Sequence, residues 1–189
     1  MNKSLAKGLV VLGITALPLA VVADTFTIDP NHTYPNFKIS HLGFSTMHGR
    51  FGQTSGHLSM DREKGTGSVE VVIEAASVDT GMKKRDDHLR SPDFFNTMEF
   101  PQITFTSTKL TYHGKGATVD GNLTMKGVTK PVTLEVAKIN CGTHPFNKKY
   151  VCGFDATASL KRSDFGINYG LPAIGDQVQL EIEVEAFKE

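Results

Sequence analysis

The chain has 189 residues, with 20 basic and 20 acidic side chains that give a formal net charge of +0. This length indicates one domain with at most short appendages, and the balanced charge gives no support to nucleic acid or an anionic membrane surface as a partner. Two cysteines exclude a multi-bridge disulfide scaffold, while 39% hydrophobic and 21% charged residues are typical of a folded globular protein.

Residues 1–23 have the pattern of a cleaved secretory signal peptide. Two lysines precede an uncharged, mostly apolar run, Gly8 to Val22, and small residues at Val21 and Ala23 mark a cleavage site. The alternative is a retained membrane anchor, but a run of 15 residues is shorter than the roughly 20 that a spanning helix needs. We therefore expect export to the periplasm and a single mature domain over residues 24–189.

From Asp24 onward, apolar and polar residues alternate with a period of two in eight or nine runs separated by short turns. This pattern is typical of strands that bury one face. Phe51 and Leu58 differ in parity, which predicts a bulge between them, with Gly52 and Gly56 as its natural places.

Strands with one apolar face must bury that face, and the sequence has no long amphipathic helix to cover a flat sheet. We therefore predict an all-β fold, an eight-stranded antiparallel barrel. Several inward positions carry small residues and predict space inside it: Ala75, Gly121, Ala156, Ala158 and Ala186.

The alternation is lost over residues 77–100, where we predict a short helical insertion, about residues 82–97, near one end of the barrel. Ser91-Pro92-Asp93 resembles a helix start, with Ser91 as the cap and Pro92 at the first helical position.

Cys141 and Cys152 flank a ten-residue segment that contains Gly, Pro and Asn, between two strand-like runs. In an exported protein this spacing predicts a disulfide that closes a hairpin, which would contribute about 3 kcal/mol to stability. The alternative is two buried thiols.

The seven histidines show no H-x-x-x-H or H-E-x-x-H spacing, so we predict no metal site. The segment from Arg85 to His88 combines a base with acids, but no nucleophile motif accompanies it. We therefore predict that the protein is not an enzyme and has no catalytic residues.

Four stretches carry a resemblance to the YceI-like family of periplasmic polyisoprenoid-binding proteins. They are FTIDPNHTYPNFKISHLG (26–43), ASVDTGMKKRDDHLRSPDFFNTMEFPQITFTST (76–108), GNLTMKGVTKPVTLE (121–135) and RSDFGI (162–167). The resemblance covers about residues 24–188.

The resemblance implies a lipocalin-like barrel with an apolar tunnel that binds an isoprenoid lipid, a polyprenyl phosphate or a ubiquinone-type quinone, for transport or storage. No cofactor is expected other than such a lipid. The residues expected to line the tunnel are Phe37, Ile39, Phe51, Leu58, Ile73, Phe94, Phe95, Ile103, Phe105, Leu123, Met125, Phe154 and Phe165. Contacts to the lipid head group are expected from His41, Arg85, His88 and Arg90. The alternatives are that His41 is a core histidine and that the Arg85 segment is a solvated helix without a ligand.

Two other functions remain open from the sequence: an enzyme that acts on a lipid head group, and a barrel with a filled core that serves as an interaction module. We expect no nucleic-acid partner and no stable membrane insertion. Monomer and homodimer are both compatible with the sequence.

Overall fold

The computed structural model describes residues 23–189, so the predicted signal peptide, except for Ala23, lies outside the described residues. This part of the chain forms eleven strand segments and one α-helix. The strands are β1 (Asp24–Ile28), β2 (Tyr34–His41), β3 (Ser45–Phe51), β4 (Thr54–Asp61), β5 (Thr66–Glu74), β6 (Val78–Asp79), β7 (Gln102–His113), β8 (Gly116–Met125), β9 (Val128–Thr143), β10 (Tyr150–Lys161) and β11 (Ile174–Lys188). The helix is α1 (Lys83–Arg90).

The strands form a closed antiparallel barrel. Going round it, β1, β4, β5, β7, β8, β9, β10 and β11 are neighbours in that order, and β11 pairs back to β1 to close the ring. The register at the closure places Ile28 opposite Ala186. This confirms the predicted eight-stranded antiparallel barrel.

The remaining segments extend the first three strands of the barrel. β2 continues β1 along β11, since Phe37 lies opposite Leu180, and β3 pairs with β2 and with β6. The first barrel strand is therefore broken between β1 and β2, and the second is broken at Gly52-Gln53. The second break takes the place of the predicted bulge: the strand is interrupted at Gly52-Gln53, the register from Thr54 to Asp61 is continuous, and Phe51 and Leu58 are both buried despite their different parity.

The two ends of the barrel differ. The β2–β3 turn, the α1 segment (residues 80–101) and the segment of residues 162–173 lie at one end, which we call the mouth. The other end, which we call the closed end, is filled by buried side chains. They include Phe26, Ala117, Val119, Val136 and Ala186.

One of the small inward residues does not leave space for a ligand. A Cβ atom on Gly121 would lie 2.3 Å from the ring of Phe105, so that ring already fills the volume above the glycine. A Cβ on Gly49 would meet the ring of Phe37 at the same distance. At both positions an aromatic ring of the barrel interior packs directly on the glycine, where a side chain would clash.

The helix lies earlier than its predicted start at Ser91. α1 ends at Arg90, and Ser91 is its C-terminal cap in an extended conformation, with its N–H donating to the carbonyl of His88. The predicted helix start was wrong because a residue before proline is disfavoured in the helical region, so that Ser91-Pro92 ends the helix.

The predicted disulfide is confirmed. Cys141 and Cys152 are directly opposite each other on β9 and β10 and are joined by a disulfide. Cys152 is fully buried at the closed end of the barrel, whereas Cys141 is exposed.

We expect Cys141→Ala to lower the free energy of unfolding by about 3 kcal/mol relative to the oxidised protein, because the loop closed by the bridge becomes free in the unfolded chain. The measurement is urea unfolding with and without a reducing agent. Under reducing conditions the variant and the unchanged protein should be nearly equal, since Cys141 is exposed and the bridge is then absent from both. A large difference that persists after reduction would contradict this explanation.

Candidate functional site

A cavity of about 370 Å³ occupies the barrel between the closed end and the mouth. Its walls are inward-facing apolar side chains from all eight barrel strands, and residues of the α1 segment border it at the mouth. The lining includes twelve of the thirteen residues expected from the sequence, namely Phe37, Ile39, Phe51, Leu58, Ile73, Phe94, Phe95, Ile103, Phe105, Leu123, Met125 and Phe154.

Phe165 is the expected residue that does not line the cavity. It is 1% exposed and lies in a 3₁₀ turn, Arg162–Phe165, where it packs into the core. The ring is thus part of the support beneath the segment of residues 162–173.

Further lining residues were missing from the expected set. Most lie on inward stripes that the alternation had already revealed: Val69, Val71, Val132, Leu134, Ala156, Leu160, Val178, Leu180, Ile182 and Val184. Others come from the mouth segments, where the sequence has no periodic signal, including Leu89, Ile167 and Tyr169, and Ile174 at the start of β11 also lines the cavity.

Aromatic contacts hold the α1 segment against the barrel. The ring of Phe95 meets that of Phe51 edge-on at 5.4 Å, and Phe94 lies 5.4 Å from Tyr169. His88 contacts both Phe94 and Tyr169 with ring centroids 5.0 Å apart. The two mouth segments therefore pack on each other above the cavity.

Three of the four residues expected to contact a head group line the cavity: His41, Arg85 and His88. Arg85 already donates to the hydroxyl and the carbonyl of Thr80, at 2.6 and 2.7 Å. The ring of His88 lies 3.0 Å from a carboxylate oxygen of Asp93. Both side chains are thus engaged in bonds that shape the α1 segment.

Arg90 lies outside the cavity lining. Its guanidinium donates to the backbone carbonyls of Ala76 and Val78 and pairs with Asp87. It therefore ties α1 to the wall of the barrel.

Arg162 is a residue of the cavity wall that the sequence reading did not single out. It is 4% exposed, and its guanidinium donates to the carbonyls of Ile167, Tyr169, Ile174 and Gly175 at 2.8–3.1 Å. Burial lowers the pKa of this guanidinium, and the charge of Asp176 opposes that effect. One side chain thus fixes the whole segment between β10 and β11.

Asp29, His32 and Glu185 bring three potential metal-ligand atoms within 4.8 Å of one another, beside the break between β1 and β2. Burial opposes ionisation of Asp29, but hydrogen bonds from His32 and the Asn31 N–H outweigh it and hold its pKa below the usual value. The Asp29 bond raises the pKa of His32. These contacts stabilise the turn that separates β1 from β2.

Large apolar side chains are exposed around the mouth. Phe44 in the β2–β3 turn is 90% exposed, and Leu42, Met82 and Tyr169 are each about half exposed. In residues 23–189, no helix is long and apolar enough to cross a membrane.

A sequence model of the YceI-like domain matches residues 26–186. The chain belongs to the YceI-like family. Protein YceI of Escherichia coli O157:H7 is 40% identical over 197 residues, which cover 100% of both chains. The match confirms the resemblance found in the four sequence stretches.

Two solved structures have a similar barrel fold. The crystal structure of Burkholderia cenocepacia BcnA is 26% identical, with a TM-score of 0.75 over 84% of this chain and 98% of that chain. A polyisoprenoid binding domain from Saccharophagus degradans, implicated in plant cell wall breakdown, is 18% identical, with a TM-score of 0.64 over 87% of this chain and 98% of that chain. The latter similarity is one of fold.

Proposed function

We propose that this protein binds an isoprenoid lipid in the barrel cavity and shields the chain of that lipid from water, without catalysing a reaction on it. The observation that carries the proposal is the cavity of about 370 Å³, whose walls are apolar along its length. This volume lies within the range of about 300–1,000 Å³ that is usual for small-molecule sites. The Saccharophagus degradans domain, named for polyisoprenoid binding, supports the choice of ligand.

The apolar wall supplies a sufficient driving force. Burying one CH₂ group is worth about 0.8 kcal/mol, so each five-carbon isoprene unit contributes about 4 kcal/mol before the costs of ordering the chain. Affinity then grows with the number of units enclosed, and the polar end of the ligand determines selectivity.

Binding, as opposed to catalysis, is supported by the hydrogen bonds that three of the polar groups near the mouth already make. Arg85, His88 and Arg162 all spend hydrogen bonds on the backbone or on neighbouring side chains. A catalytic acid or base needs a free position for substrate, whereas these groups shape the mouth.

We also propose that the protein works in the periplasm, where it carries or stores its lipid. The disulfide between Cys141 and Cys152 supports an oxidising compartment, because such bonds rarely persist in a reducing cytosol. The exposed Phe44 and Leu42 at the mouth support exchange of an apolar chain with a lipid surface.

The test is a variant that fills the cavity from its wall. Ala156 is 2% exposed on the inward face of β10, between Val136 and Ile182, and it lines the cavity. In Ala156→Phe the new ring should occupy the volume of about one isoprene unit and lower the affinity for geranylgeraniol about a hundredfold or more. Fluorescence competition or calorimetric titration measures this loss.

Thr157→Phe is the matched control, because Thr157 is exposed on the opposite face of the same strand. It should bind geranylgeraniol as the unchanged protein does. Equal affinities for the two variants, both folded by circular dichroism, would contradict binding in the cavity. Organic extraction of protein purified from the periplasm, followed by mass spectrometry, should release a stoichiometric isoprenoid.

A further inference from the structure

The turn between β2 and β3 is an apolar tip at the mouth. Its residues are Leu42, Gly43 and Phe44, of which Phe44 is 90% exposed and Leu42 is 49% exposed. Over residues 39–49, which include this turn and most of β3, the sequence has no lysine, arginine, aspartate or glutamate. An exposed aromatic ring on an uncharged hairpin indicates a contact with an apolar partner.

Hydrogen bonds hold the backbone of the tip in one conformation. The Phe44 N–H donates to the carbonyl of His41 at 3.0 Å, and the Leu42 N–H donates to that of Ala173 at 2.8 Å. Leu42 also has a φ of 54°, in the left-handed region that leucine rarely adopts. The turn therefore displays its two apolar side chains on an ordered backbone, and a partner does not have to order it on binding.

The tip is continuous with the cavity. His41 precedes the turn, Met47 and His48 follow it on β3, and all three line the cavity. Ala173, which bonds to the turn, belongs to the same mouth segment as Tyr169, a half-exposed lining residue. A surface that covers the tip would therefore also face the mouth of the cavity.

The charges at the mouth do not select an anionic partner. The α1 segment (residues 80–101) carries four basic and four acidic side chains, and the segment of residues 162–173 carries one of each. The attraction must therefore come from burial of apolar surface, which salt does not screen.

The area of the tip favours a lipid surface over a protein partner. A buried phenylalanine contributes about 150–250 Å², whereas a stable protein interface buries about 800 Å² on each partner. A turn of three residues falls well short of that area. A phospholipid bilayer makes no such demand, because each phenylalanine or leucine that enters the boundary between head groups and acyl chains gains free energy separately.

We propose that Phe44 and Leu42 enter the surface of a phospholipid bilayer, so that the mouth of the barrel faces the lipid phase with which the ligand is exchanged. The choice of a lipid surface rests on the proposed function, since an isoprenoid lipid that is not bound to protein resides in a membrane. The contact is peripheral and reversible, and it requires no anionic lipid.

The sequence contains no tryptophan, so a single introduced tryptophan reports its own surroundings. In Phe44→Trp we expect the fluorescence to shift to the blue on addition of phosphatidylcholine vesicles, and to be quenched by lipids brominated on their acyl chains. Phe146→Trp is the matched control, because Phe146 is 88% exposed in the β9–β10 turn at the closed end. Its fluorescence should not respond. Addition of phosphatidylglycerol to the vesicles should change neither result.

Transfer of ligand tests what the contact does. Phe44→Glu should slow the transfer of geranylgeraniol from phosphatidylcholine vesicles to the protein about tenfold or more, because the charged tip no longer enters the bilayer. Its affinity for geranylgeraniol added without vesicles should be unchanged, since Phe44 lies outside the cavity lining. Phe146→Glu should change neither quantity.

Each outcome decides a separate point. If vesicles change the fluorescence of neither variant, or of both alike, docking of the mouth is overturned. A blue shift in Phe44→Trp that grows with protein concentration in the absence of vesicles would assign the tip to a second copy of the chain and overturn the bilayer contact. Equal transfer rates for Phe44→Glu and the unchanged protein would overturn its role in ligand exchange. If geranylgeraniol does not bind even without vesicles, the proposed function fails, whereas the bilayer contact is still decided by the fluorescence of Phe44→Trp.

Discussion

Arg162→Met is expected to lower the free energy of unfolding by about 3–5 kcal/mol, because several buried carbonyls lose a charged donor and each unsatisfied buried polar group costs about 1–3 kcal/mol. Methionine can fill much of the volume but donates no hydrogen bond. The carbonyls of Ile167, Tyr169, Ile174 and Gly175 then lose their donors together. The segment between β10 and β11 should become mobile, and the mouth of the cavity should lose one wall.

Urea unfolding followed by circular dichroism measures this loss, and amide hydrogen exchange of residues 166–174 shows where it acts. Arg162→Lys tests the geometry: it keeps the positive charge, but an ammonium group cannot reproduce the planar fork of donors, so most of the loss should remain.

Arg62→Met is the matched control. Arg62 also donates to a backbone carbonyl, that of Lys115 at 3.4 Å, but it is exposed. Its replacement should change the free energy of unfolding by no more than about 0.5 kcal/mol. If Arg162→Met loses no more than Arg62→Met, the guanidinium does not organise the mouth.

The strands could be predicted because burial on one face imposes a period of two on the sequence. The alternation at Val178, Leu180 and Ile182 appears directly as cavity wall in β11. The change of parity between Phe51 and Leu58 was equally informative, since one inward face cannot hold both residues without an extra residue between them. Closure of the barrel, which the structure shows as the pairing of β1 with β11, could be predicted because the apolar faces of the strands must be buried.

Features without periodicity were harder to predict. Ser91-Pro92 is compatible with a helix start and with a helix end, and only the packing of α1 before it decides between them. The role of Arg162 depends on four carbonyls up to 13 residues away, and no local pattern reveals such a fork. Phe165 illustrates the same difficulty, because its ring packs beneath the mouth and not into the cavity.

The candidate site was predictable in its walls and not in its polar groups. Apolar residues such as Ile103 and Leu123 line the cavity because their parity requires it. Whether a cation such as Arg85 is free for a ligand depends instead on neighbours such as Thr80, and the sequence does not show which of these neighbours it bonds.

Phe105→Asp is expected to lower the free energy of unfolding by at least about 4 kcal/mol, enough to unfold many single domains. Phe105 is 6% exposed, lines the cavity and covers Gly121, so its loss removes apolar contacts and opens a void. The new carboxylate is then buried among apolar side chains without a cation, which adds a desolvation cost. Thermal unfolding measures the combined effect.

The pH dependence separates the charge from the void. Burial should raise the pKa of the new carboxyl in the folded state above its unfolded value of about 3.9, so the variant should regain stability as the pH falls towards that value. Phe105→Asn creates a comparable void without a titrating group and should show no such recovery.

Thr104→Asp places the same carboxyl on the opposite face of β7, between Val72 and Thr124. There the free energy of unfolding should change by no more than about 1 kcal/mol. Equal losses for Phe105→Asp and Thr104→Asp would contradict the inward orientation of Phe105, and with it the assignment of this strand to the cavity wall.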